Sequence, residues 1–250
     1  MSQAIVTALM AVAFCAVHIF VGRLEFLDRE PRSRWLSFAG GVAVGYVFLH
    51  ILPELGSHAT TFEQALGLPP TLSESWVHAL ALAGLVLFYG IERALTHSRG
   101  RRRAEEGRDR PHRGIFRLHI AASALLIFVI AYLLNHREDT TAAGLILFFA
   151  AMILHFVTAD YGTRHDHPEM YDERGRWVLV AATLVGWAVG TQLVLPQIVV
   201  GFLFAFVGGC IVLVVLKEEL PEERKSYFLP FLGGAVIYSM LAIGEQYLAA

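Results

Sequence analysis

Two histidines, His119 and His155, stand inside apolar stretches where charged or polar groups are costly. Neutral imidazole suits zinc and other first-row metals. Zinc usually takes four ligands, so two imidazoles need partners. Asp160 is five residues after His155, an offset that leaves it off the same helical face, because facing positions are three or four apart. The same residue types also suit hydrogen bonding within a helix bundle. His50 and Glu54 are four apart and share a face, and Pro53 frees the Leu49 carbonyl as an oxygen donor. Glu54 also reads as an interfacial acid where the helix stops. Glu218, Glu219 and Glu222 form a second acidic group, beside Lys217, in what reads as a solvated helix end.

The tract His165-Asp166-His167-Pro168-Glu169 could capture metal, or serve as an ordinary polar loop. His18, His78, Glu92 and Glu245 fall near predicted helix ends, where snorkelling to the interface explains them. Cys15 and Cys210 lie within apolar segments and read as small fillers rather than a disulfide or thiolate site.

The elements that must position these residues are apolar helices. The chain of 250 residues is 56% hydrophobic and 17% charged, with mean hydropathy +0.54. Soluble domains carry roughly 25% charged residues. A spanning helix needs about 20 apolar residues, and eight segments qualify, near 3–22, 35–56, 76–96, 116–134, 141–161, 177–195, 197–216 and 227–248. Little lies outside them, so residues 1–250 read as one all-α integral membrane domain. The first segment lacks a basic flank and a cleavage site and reads as a retained span.

Charge orients the bundle. The connections after the first, third, fifth and seventh segments, with their flanks, hold 4, 9, 3 and 3 Lys or Arg. Only Arg137 falls on the other side, a split of 19 to 1. The positive-inside rule puts both termini outside and the basic loops in the cytoplasm, in a plasma or inner membrane. Residues 97–114 read as a flexible, solvated basic loop. Nothing aromatic or motif-like supports nucleic-acid binding. The lipid bilayer is the expected surrounding partner, and a homodimer is the expected assembly.

Gly40-Gly41 is followed, after eight residues, by His50, one residue, and Leu52-Pro53-Glu54. Gly208-Gly209 precede Glu218 and Leu220-Pro221-Glu222 at the same spacing. The second segment runs outward and the seventh inward, so the copies belong to an inverted repeat. Segments 1–3 answer segments 6–8, around segments 4 and 5. Transporters built this way bind substrate near the midplane between the repeats.

On these residues the chain resembles the ZIP (Zrt/Irt-like) family of divalent-metal transporters. The stretch Phe38–Glu54 is similar to the family's Gly-Gly-Val…Leu-Leu-Pro-Glu signature, and eight spans with a long variable third loop fit its topology. The resemblance implies transport of zinc, iron or manganese into the cytoplasm through a site on the fourth and fifth helices. His119 and His155 match the leading ligands of that site. Ile120, Ser123, Phe156 and Ala159 stand where the family carries amide, acid or imidazole, and the sixth segment has no acid. The expected function is therefore alternating-access transport of a divalent metal. His119 and His155 are the expected ligands, Ser123 and Asp160 helpers, and His50 with Glu54 the outer route. Metal is cargo, no resident cofactor is expected, and no covalent chemistry marks an enzyme. The rival is a ZIP-fold sensor, scaffold or assembly partner that moves no metal.

Overall fold

The computed structural model describes residues 3–24, 34–107, 109–136, 141–219 and 227–249. Every regular element among them is helical. Helix α1 (Gln3–Phe20) ends in a 3₁₀ turn, Val21–Arg23. Helices α2 (Arg34–Tyr46) and α3 (Leu52–Leu66) are joined by a π-turn, Val47–Ile51, into one rod. Then follow α4 (Pro70–Glu106), α5 (Arg113–Leu133) and α6 (Ala142–Asp166). A single turn, α7 (Pro168–Met170), and a second π-turn, Tyr171–Gly175, lead into α8 (Arg176–Gln192). Helices α9 (Gln197–Glu219) and α10 (Phe228–Ala249) complete the bundle.

Seven of these rods are long and apolar enough to cross a bilayer. Helix α8 has 17 residues, at the short limit for a span. The outer surface carries Leu82, Leu125, Ile146, Val185 and Met240, all exposed, while His18, His119, His155, Glu92 and Asp160 are buried. That inversion of the usual burial pattern is compatible with a lipid-facing exterior.

Two connections are shorter than the sequence suggests. The expected loop 57–75 is helix as far as Leu66, stopped by Gly67 at φ 63°, and helix resumes at Pro70. A left-handed residue after a helix favours glycine, and proline fits a helix start. The expected loop 97–114 is helix as far as Glu106. Arg101 and Arg102 bond Glu105 and Glu106 one turn on, and Gly107 at φ 66° ends it. The sequence at Leu220-Pro221-Glu222 lies outside the described residues.

Packing divides the rods into two bundles. The α2–α3 rod, α4, α9 and α10 form one, with its largest contacts between α2 and α10 and between α4 and α9. Helices α1, α5 and α8 form the other, dominated by the α5–α8 contact, and α6 lies between the two, packed on both α2 and α1. The second glycine of each Gly-Gly pair sets the first bundle. A β-carbon on Gly41 would sit 2.0 Å from the Phe231 carbonyl oxygen of α10, and one on Gly234 would sit 2.1 Å from that of Phe38. A β-carbon on Gly209 would sit 1.7 Å from the Ala81 oxygen of α4, and one on Gly84 would sit 2.0 Å from that of Phe206. Backbones approach this closely only where side chains are missing.

Candidate cation site between the two bundles

Two cavities open on the seam between the bundles, one toward each end. The end that carries Arg99, Arg110 and Arg164 is the basic end, and the other, where α1 begins and α10 finishes, is the far end. The basic-end cavity is lined from one bundle by Phe88 and Glu92 of α4 and Lys217 of α9. Helix α5 of the other bundle supplies His119 and Ser123, and α6 supplies His155, Asp160 and Thr163. Four residues expected from sequence (His119, Ser123, His155 and Asp160) thus share one cavity. Asp160 faces it despite its awkward offset from His155, because neighbouring helices surround α6.

The polar groups there are tied in two sets. His119 Nε2 and Glu92 Oε1 are 2.8 Å apart, and the Lys217 ammonium donates to Glu92 Oε2 at 2.6 Å. This set crosses the seam. His18 Nδ1 and Asp160 Oδ2 are 2.6 Å apart and tie α1 to α6, and the Tyr171 hydroxyl donates to the His18 carbonyl at 3.2 Å. The two imidazoles that matter most are both buried, and neither His119 Nδ1 nor His155 Nδ1 has a hydrogen-bond partner among the described residues. A buried ring nitrogen without a partner is costly, so these atoms suit a ligand.

Glu92 and His18 overturn the expectation of snorkelling. Glu92 is 7% exposed and His18 is fully buried. Helix α4 runs to Glu106, so Glu92 lies more than three turns from its end. Lys217 likewise belongs to a bonded network, whereas sequence placed it in a solvated end. The available signal was an acid and a base on separate apolar segments, since buried charges need partners. His78 is exposed, as expected for an end position, and Glu245 accepts from the Thr141 hydroxyl at 3.0 Å.

Proline at 53 removes an amide, and the π-turn before it shifts bonding to i+5, as in Leu52 N–H to the Val47 carbonyl. His50 stacks on Tyr46 at 5.5 Å between ring centres, and its Nδ1 lies 2.9 Å from the Tyr238 hydroxyl. Glu54 lines the far-end cavity with His58, His136, Phe148, Met152 and Phe204. His136 Nε2 donates to the Gly190 carbonyl at 3.0 Å.

The tract 165–169 is held by arginines. Arg99 donates to Asp166 at 3.0 Å and Arg110 to Glu169 at 2.9 Å. His167 packs on Phe116, with ring centres 5.2 Å apart. Burial, and then the Arg110 charge, push the His167 imidazole below its ordinary value. Cys15 and Cys210 are buried and unbridged. Among the described residues no three His, Cys, Asp or Glu side chains converge as metal ligands. No family model, no curated protein and no solved structure matches the chain.

Proposed function

We propose that the chain is an integral-membrane transporter for divalent first-row metal cations, of ZIP-like design. In this reading eight helices span the bilayer, α8 included, with the termini outside and the basic end in the cytoplasm. The first three and last three spans form an inverted repeat around α5 and α6. The glycine contacts support it: exchanging the halves carries Gly41 against α10 onto Gly209 against α4. Access alternates as one bundle moves against the other, opening the seam at one cavity and then at the other.

One observation carries the reading. The basic-end cavity joins the bundles and gathers His119 and His155, each with an unpartnered nitrogen, beside Glu92, Ser123 and Asp160. Imidazole binds first-row metals, and a nearby carboxylate offsets the charge of an ion leaving water.

A second reading keeps the scaffold without metal transport, as a sensor or assembly partner. It is favoured by the engagement of both carboxylates, Glu92 by Lys217 and Asp160 by His18. The two readings separate in proteoliposomes loaded with a metal-sensitive dye. Transport predicts influx of zinc, iron(II) or manganese(II) that the double substitution His119→Ala/His155→Ala abolishes. Absence of flux for all three ions, with folded protein in the vesicles, supports the second reading instead.

A further inference from the structure

Lys217 gives the basic-end cavity a cation of its own. Its ammonium lies 2.6 Å from one oxygen of Glu92, while the other oxygen meets His119 at 2.8 Å. The remaining carboxylate on the cavity, Asp160, is held by His18 of α1. An ion seated at His119 and His155 would therefore find Lys217 on Glu92, one of the cavity's two carboxylates. Two cations sharing one carboxylate a few ångströms apart repel strongly in partly buried surroundings.

The geometry also shows which group can leave. The His119, His155 and Asp160 residues are under 5% exposed. The Lys217 side chain is 35% exposed and near the last residue of α9, Glu219. Its flexible four-carbon stem can take the ammonium to solvent without moving a helix.

We infer that Lys217 sets the cavity's affinity for divalent ions, as a tethered ammonium on its carboxylate that an incoming ion must displace. This rests on the reading of the cavity as a cation site, but not on transport. The consequence is selective. Zinc gains imidazole nitrogen on entering and can meet the cost of expelling Lys217. Magnesium and calcium depend on oxygen ligands and gain little from the histidines. The cost of displacing Lys217 is common to all divalent ions, so only an ion that the histidines favour binds measurably against it.

The test is titration of the purified full chain in detergent at pH 7 with zinc chloride and, separately, magnesium chloride. Lys217→Met should bind zinc about ten-fold or more tightly than the unaltered chain, as expected for removing one unit charge beside a divalent ion. Lys217→Arg should stay near the unaltered affinity, and adding His119→Ala/His155→Ala to Lys217→Met should erase the gain. Magnesium binding should rise in Lys217→Met. Thermal melting checks folding, and Lys217→Gln replaces Lys217→Met if the latter does not fold.

Equal zinc affinity with and without Lys217 overturns the inference. If that binding still needs His119 and His155, the cation-site reading survives. Zinc binding by no variant overturns both. Zinc binding only after Lys217 is replaced, with no flux through the unaltered chain, upholds the role of Lys217 and sinks metal transport.

Discussion

The two cavities on the seam share walls from α5, α6 and α9, yet their surroundings are held in opposite ways. At the basic end, ion pairs cross from bundle to bundle: Glu92 to His119, and Arg99 to Asp166. At the far end, the hydrogen bonds of Asn135, His136 and Tyr132 stay within one bundle, and one exposed bond, Thr141 to Glu245, crosses from α6 to α10. Asn135 accepts from Thr7 at 2.9 Å and donates to the Trp187 carbonyl at 3.3 Å. The Tyr132 hydroxyl donates to the Leu193 carbonyl and accepts from Leu195 N–H. The difference teaches where the bundles are fastened. Charges latch the seam at one end, and the Glu54 cavity is walled mainly by apolar side chains.

The largest effect should come from destroying the frame that both cavities share. Gly209→Leu pushes α9 off α4 and displaces Lys217 from Glu92, while Gly41→Leu pushes α2 off α10 behind the far cavity. Each should cost about 3 kcal/mol or more by overpacking, measured by denaturant titration in detergent. Gly244→Leu, with open space at that position, should be nearly neutral.

The next test weighs one cavity against the other. Glu92→Ala leaves Lys217 and His119 without their shared acceptor and should cost about 2 kcal/mol, less than a fully buried pair because Lys217 is partly solvated. Glu54→Ala, at a half-buried position, should cost less, about 1 kcal/mol. Equal losses would remove the asymmetry between the two ends.

A smaller effect is pH-dependent and confined to the basic end. Burial lowers the His167 imidazole in the folded protein, whereas the unfolded group titrates near 6.5. Folding therefore favours the neutral ring. Its contribution is complete above about pH 6.5 and falls as acid drives protonation of the unfolded chain. Melting temperature should drop between pH 7.5 and 5.5, and His167→Phe should flatten that part of the curve. Below the ordinary carboxylate range a further loss should follow, since Arg99 holds Asp109 low and Arg110 holds Glu169 low. The smallest change should be Thr141→Val, which removes one exposed hydrogen bond to Glu245 and should cost under about 0.5 kcal/mol.

Much of the frame was legible in the sequence because apolar length and turn residues act locally. The α9 start after Pro196 and the α5 and α6 segments follow that pattern closely. The Gly-Gly spacing also pointed to real work, since Gly41 and Gly209 both meet a neighbouring backbone. What the sequence concealed is nonlocal. Polar residues 97–106 continue α4 because arginine–glutamate pairs one turn apart support a solvated helix. Glu92 finds His119 27 positions away and Lys217 125 positions away, separations that no local period reports. The π-turn before Pro53 was not legible either, because nothing in the spacing of His50 and Glu54 reports it.

The central claim is that the seam at His119 and His155 holds a divalent cation. X-ray absorption at the zinc edge, on the zinc-loaded full chain, tests it most directly. The account predicts scattering from about two imidazole rings in the metal's first shell, lost in His119→Ala/His155→Ala while the protein stays folded. A first shell without imidazole, or one unchanged by that double substitution, would contradict it.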